Sequence, residues 1–213
     1  MFLLPGISDF PEYPGILDRA KAGATILDLG CCFGQTLRLL AADGVSTHDM
    51  YATDIRAELW NLGYDLYRDK DKMRATFVQG DIFDRNSDLQ LLNGQMDIII
   101  ACQFLHLFDW DKQVIAAKRI VELSRPGSVL VGFQRAQVRA QELMRPWGPM
   151  YFHDAETFKK MWSQVEDETE TKWDLSISLV DLQKDWGLEA EDVEWMPSGH
   201  RGINFVITRQ YPH

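Results

Sequence analysis

Five short apolar runs, interleaved with segments of helical spacing, constrain this chain more than any other feature. Ala24 to Leu29, Met50 to Thr53, Ala75 to Gln79, Met96 to Ala101 and Ser128 to Phe133 read as strands buried on both faces. Thr36 to Ala42, Ala57 to Asp69 and Lys112 to Ser124 carry apolar residues three and four apart, as amphipathic helices do. Gly44 is placed to cap the first of these, and Pro126-Gly127 to stop the last. A further helix is expected from Glu12 to Lys21. Strands alternating with helices build βαβ units, and hence a parallel, doubly wound, Rossmann-like α/β sheet. The end of the chain differs. Phe158 to Asp167 reads as a helix, and Glu166-Asp167-Glu168 as its solvated end. Leu175, Ile177 and Leu179, and then Ile203, Phe205 and Ile207, alternate with other residues, which predicts an antiparallel pair closing the sheet.

A chain of 213 residues can bury one substantial core, so residues 1–213 are expected to form a single domain. The formal net charge of -10 argues against non-specific nucleic-acid binding and against docking on an anionic membrane. Cys31, Cys32 and Cys102 are odd in number, two of them adjacent, and none has zinc-site spacing, so no metal and no disulfide framework is expected. Met1-Phe2-Leu3-Leu4 ends at Pro5-Gly6, too short for a signal-peptide core. Ile98 to Phe108 is too short to span a bilayer. A cytoplasmic protein with a small-molecule partner is the expectation.

Ile26 to Gln35 joins the first strand to the next helix through the small-residue turn Gly30-Cys31-Cys32-Phe33-Gly34. In a doubly wound sheet this turn receives an adenosine-bearing cofactor. Glycine there lets the ligand approach the backbone. The dinucleotide fingerprint fails, because Cys32 and Gln35 occupy two of its three glycine positions. The pattern Asp/Glu-x-Gly-x-Gly-x-Gly is matched at Asp28, Gly30 and Gly34, with Cys32 in place of the middle glycine. A carboxylate at Asp28 suits a cofactor with a cationic amino end, as in S-adenosylmethionine, and would repel a pyrophosphate. Asp54 follows Gly34 by about 20 residues, where a carboxylate accepts both ribose hydroxyls. Asp81 ends the third strand. Each acid alone could be a helix cap or a loop residue. Three acids at successive strand ends beside the glycine turn point to cofactor binding.

Three blocks, Asp28 to Gln35, Leu62-Gly63-Tyr64-Asp65-Leu66-Tyr67-Arg68-Asp69 and Phe104-Leu105-His106-Leu107-Phe108-Asp109-Trp110-Asp111, resemble a group of fungal methyltransferases of secondary metabolism, notably of meroterpenoid pathways. The resemblance runs from about Tyr13 to the last strand, and Cys32 is ordinary for the group. It implies a class I S-adenosylmethionine-dependent fold and methylation of oxygen, often that of a carboxylic acid, on a hydrophobic terpenoid or polyketide. It implies cofactor contacts at Asp28, Gly30, Cys31, Cys32, Gly34, Asp54, Ile55 and Asp81, with Ile82 against the adenine and Tyr13 near the methionine end. It also implies a longer region ahead of the first strand than the two dozen residues present. The pocket is therefore expected to be open, or covered by the second chain of a homodimer. Phe2, Leu3, Leu4, Ile7, Phe10, Tyr13 and Ile16 are apolar enough that part of this segment should pack on the domain.

On the acceptor side, the fourth strand delivers Cys102, Gln103, Phe104 and His106 to the sheet's carboxyl edge. His106 is either a general base or a structural histidine beneath the pocket. Arg135 and Arg139, read as following the fifth strand, could hold an acid or be surface residues. Trp147, Met150, Tyr151 and Phe152 read as a loop over the site or as core. Three functions remain: an O-methyltransferase, a cofactor-binding cyclase or isomerase of the same fold, and a non-catalytic partner.

Overall fold

The computed structural model describes residues 6–194, 196 and 198–212. Phe2, Leu3 and Leu4 lie outside the described residues. Helix α1 (Tyr13–Lys21) leads into β1 (Ile26–Leu29), α2 (Gln35–Ala42), β2 (Met50–Asp54), α3 (Ala57–Tyr67) and β3 (Thr76–Gln79). Then come β4 (Met96–Ile100), α4 (Trp110–Leu123), β5 (Ser124–Gln137), a hairpin of β6 (Gln141–Arg145) and β7 (Gly148–Phe152), α5 (Ala155–Thr169), β8 (Trp173–Val180), α6 (Ala190–Val193) and β9 (His200–Arg209).

Seven strands form one sheet in the order β3-β2-β1-β4-β5-β9-β8. The first five run parallel, and β9 pairs antiparallel with both β5 and β8, as the alternating C-terminal pattern predicts. Successive side chains of the central strands enter opposite layers. Leu27, Leu29 and Ile99 pack with α4 and α5, whereas Ile26, Ile98 and Ile100 pack with α1, α2 and α3. That is why these strands lack polar alternation. Ile7, Phe10, Tyr13 and Ile16 are buried in the second layer, so this part of the N-terminal segment packs on the domain.

The chain order reverses between β1 and β4, and a crevice opens at the carboxyl ends of these two strands. The opposite edge is closed by Asp97, the only charge in β4. It accepts bonds from Arg125 Nε at 2.9 Å and from the Thr25 amide at 3.0 Å.

Several boundaries differ from expectation. Helix α4 starts two residues early, because Asp109 caps it by accepting from the Lys112 amide at 2.8 Å. Pro126-Gly127 does not separate helix from strand: β5 begins at Ser124 and runs on to Gln137, so Arg135 lies within it. Polar residues at Gln134 and Gln137 hide this extension, but β9 covers them and both are buried. The segment carrying Trp147 and Met150 is a hairpin rather than a loop. The acidic cluster is not simply solvated: Glu166 accepts from the Trp173 amide at 2.7 Å, and Glu168 pairs with Lys118 at 2.9 Å.

Candidate active site

Two adjoining cavities of about 310 and 390 Å³ meet at Gly30, Gln103 and Leu107. The smaller is lined by Asp54, Ile55, Asp81, Ile82, Phe83 and Phe104. Gly30 adopts φ +66°, and a Cβ there would lie 2.8 Å from the Phe104 ring, so only glycine fits. Asp54 shapes the turn: its carboxylate accepts from the Cys32 amide and the Arg56 amide, both at 3.0 Å. A carboxylate has about four acceptor directions, so others remain for a ligand hydroxyl. Asp81 holds the following turn by accepting from the Phe83 amide at 2.9 Å. Phe83 and Phe104 both meet Phe108 edge to face, at 4.9 and 5.5 Å, which makes an interlocked apolar wall.

Asp28 is buried in β1. Burial, and then repulsion from Asp54, raise its carboxyl to about 8. At that value the carboxyl is largely protonated near neutral pH, and a cation beside it would favour the charged form. Burial is the first cause of the raised values at all three cysteines, so these are thiols rather than reactive thiolates.

The larger cavity is lined by Cys32, Gln35, Gln103, His106, Arg135 and Arg145, and by the aromatic walls Phe133, Trp147 and Phe152. Gln35 Oε1, Gln103 Nε2 and His106 Nδ1 are buried on this cavity and have no hydrogen-bond partner among the described residues. Native interiors seldom leave such atoms unpaired, so they are available to a ligand or to ordered water. Burial, followed by the charge of Arg135, lowers His106 to about 3, so its imidazole is neutral at physiological pH. Arg135 is itself lowered to about 10 by burial and by neighbouring Arg145.

A buried network ties the hairpin to this cavity. Gln113 Nε2 donates to the carbonyls of Phe108 and Tyr151 at 3.0 and 2.8 Å, and Gln113 Oε1 lies 3.1 Å from His153 Nε2. The Tyr151 amide donates to Phe108 O at 2.8 Å.

Most of the residues singled out in the sequence line these cavities, but six do not. Asp28 is buried within β1, just ahead of the turn, and Gly34 packs against Trp60 and Arg38. Tyr13 donates to Asp43 at 2.5 Å, which turns its hydroxyl to the end of α2. Cys31 is buried behind the turn, its amide donating to Thr53 O at 3.0 Å. Tyr151 packs on Trp110 and His153, on the hairpin face away from the cavity. Arg139 lies beyond the end of β5 and lines neither cavity. Gln35 and Arg145 were not anticipated. Gln35 sits inside the glycine segment, which is a signal, whereas nothing local marks Arg145.

The donor set fits S-adenosylmethionine: a buried acid just ahead of the turn that a cation would ionise, two further carboxylates around an aromatic slot, and the glycine Gly30 where the ligand approaches the backbone. Residues 26–127 match the methyltransferase domain family. The O-methyltransferase phiE of Fungal sp. is 40% identical, over 98% of this chain and 74% of its own length. The asnovolin E/chermesin D methyltransferase nvfJ of Aspergillus novofumigatus is also 40% identical, over 84% of this chain and 68% of its own. Methyltransferase adrK of Penicillium rubens is 38% identical, with shares of 80% and 64%. Among solved structures, the [4+2]-cyclase SpnF superposes with a TM-score of 0.67 at 14% identity, covering 94% of this chain and 81% of its own. The Burkholderia thailandensis 1,6-didemethyltoxoflavin-N1-methyltransferase, solved with S-adenosylhomocysteine, gives 0.64 at 12% identity, with shares of 96% and 80%.

A doubly wound sheet with an acid-rimmed crevice at its switch point defines a nucleoside-cofactor enzyme. The chain belongs to the S-adenosylmethionine-dependent methyltransferases of fungal secondary metabolism. Among the described residues, no helix is long and apolar enough to cross a membrane.

Proposed function

We propose that the chain methylates an oxygen of a hydrophobic secondary metabolite of the meroterpenoid or polyketide kind, and that this oxygen belongs to a carboxylate. The observation that carries this reading is the lining of the larger cavity. Aromatic walls surround Arg135 and Arg145, and among the described residues no carboxylate side chain lines it. Guanidinium groups hold a carboxylate by charge-assisted hydrogen bonds. The bound cofactor supplies an electrophilic methyl group. The protein's part is to align acceptor and donor and to exclude water.

In this reading Asp28 faces the amino end of the cofactor, Asp54 the ribose, and Asp81 with Ile55 and Ile82 the adenine. Gly30, Cys32 and Gly34 form the turn beneath it. Gln103, Arg135 and Trp147 orient the acceptor, whereas Phe104, expected on the acceptor side, walls the smaller cavity and packs toward the cofactor. A carboxylate is already ionised near pH 7 and needs no base, whereas a phenol with a pKa near 10 does. Histidine held neutral down to about 3 is too weak a base for that task. His106 therefore acts as a polar contact rather than a proton acceptor.

The test offers hydrophobic carboxylic acids and matched phenols with S-adenosylmethionine and measures S-adenosylhomocysteine release. Methyl esters should form from the acids, and His106→Ala should keep turnover within about tenfold. Phenol ethers alone, with turnover lost on the order of 100-fold in His106→Ala, would overturn the acceptor assignment. Cofactor binding with no transfer to any acid or phenol would point instead to another reaction on this fold.

A further inference from the structure

The block Leu62 to Asp69 carries family resemblance, yet none of its residues lines either cavity. Its side chains surround Arg38 of α2 instead. The Arg38 guanidinium makes a forked pair with Asp69, Nε to Oδ2 at 2.7 Å and Nη2 to Oδ1 at 3.0 Å. Its carbon lies 5.1, 5.5 and 4.7 Å from the ring centres of Trp60, Tyr64 and Tyr67. The remaining arm, Nη1, donates to Phe33 O at 2.5 Å, inside the glycine turn. Gly63 makes room for this bond, because a Cβ there would fall within contact distance of Phe33 O and 3.2 Å from Arg38 Nη1. Gly34 packs as closely: its Cβ would lie 2.6 Å from the same nitrogen and closer still to Trp60.

The turn needs such support. Cys32 stands where the motif has its middle glycine and adopts φ +50°, a conformation costly for a residue with a Cβ. Left-handed geometry at such a residue persists only where its surroundings hold it. Asp54 grips the Cys32 amide from one side, and Arg38 grips the next residue's carbonyl from the other.

We propose that Arg38, held by Asp69 and the Trp60–Tyr64–Tyr67 cage, is a positioning residue that keeps the Cys32-containing turn in its cofactor-receiving shape. Arg38 touches no ligand in this account. Its forked geometry is the working feature, which lysine cannot reproduce. The proposal rests on the cofactor lying at this turn, and the experiment reads the two claims separately.

The experiment measures S-adenosylhomocysteine affinity by calorimetry, and amide hydrogen exchange of the ligand-free protein, for the wild type, Arg38→Lys and Arg38→Lys with Cys32→Gly. In Arg38→Lys, affinity should fall about tenfold, and amides of residues 32–35 should exchange faster while those of β1 and β4 do not change. Adding Cys32→Gly should restore most of the affinity, because glycine holds the left-handed turn without a brace. General loss of stability would give neither local exchange nor rescue by glycine. Should Arg38→Lys fail to fold, Tyr67→Leu decides. Tyr67 is 43% exposed, so its loss spares the core, and a fall of about threefold with the same local exchange is expected. Unchanged affinity and exchange in a folded variant, or a loss that Cys32→Gly leaves untouched, would overturn the brace. Wild type that does not bind at all would overturn the cofactor placement, while the exchange result would still judge the brace.

Discussion

Asp28 shows how one residue reports on the site. Its carboxyl stands near 8, because burial and Asp54 both disfavour the charge. The folded value is above the unfolded one, so the group's contribution to stability is complete below about pH 4 and is lost as pH rises through 8. The ligand-free protein should therefore lose stability between pH 5 and 8, by up to about 1.4 kcal/mol per pH unit, and Asp28→Asn should flatten that slope. A cationic amino group beside Asp28 reverses the preference. Calorimetry at pH 7 in buffers of different ionisation enthalpy should detect proton release on S-adenosylhomocysteine binding, absent in Asp28→Asn. Equal proton release in the variant would remove Asp28 from the site. Asp54 and Asp81 were legible as crevice residues because the end of one strand and the turn after the next place them there; Asp28 was legible as an acid of the first strand, and burial keeps it out of both cavity linings. The turn of Tyr13 toward Asp43 was not, because the two lie 30 positions apart, with α1, β1 and α2 between them.

At the scale of elements, the buried strands and their helices were legible, because a strand covered on both faces must be apolar throughout. The hairpin β6–β7 was not. Gln141 to Phe152 mixes charged, apolar and turn residues, and its inward face is defined by the cavity it covers. The tie from Gln113 to Phe108 and Tyr151 fixes this hairpin over the acceptor side, yet it joins residues 38 positions apart. Trp147 at its tip is 71% exposed while lining the cavity, a surface that a hydrophobic acceptor would cover. Trp147→Ala should raise KM for a hydrophobic acid by about tenfold, since burying one large apolar side chain contributes roughly 1.5–3 kcal/mol. Cofactor affinity should stay within about twofold, and a change confined to the cofactor would place Trp147 elsewhere.

Across the whole molecule, the reversal of strand order between β1 and β4 decides where ligands bind. It brings the glycine turn, the end of β2, the turn after β3 and the segment after β4 to one crevice, although they span residues 29 to 108. The sequence shows the elements but not the extension of β5 that carries Arg135 into the acceptor cavity, nor the cage around Arg38. Both depend on contacts that close only when the sheet is assembled. The central claim is that the cofactor lies across the Asp28–Asp54–Asp81 crevice. Titration of the wild type and Asp54→Ala with S-adenosylhomocysteine tests it most directly. Loss of a charged acceptor costs about 1.5–3 kcal/mol, so the account predicts binding by the wild type and affinity weaker by roughly tenfold or more in a folded variant. Equal affinity in the two proteins, or a well-folded wild type that does not bind, would contradict it.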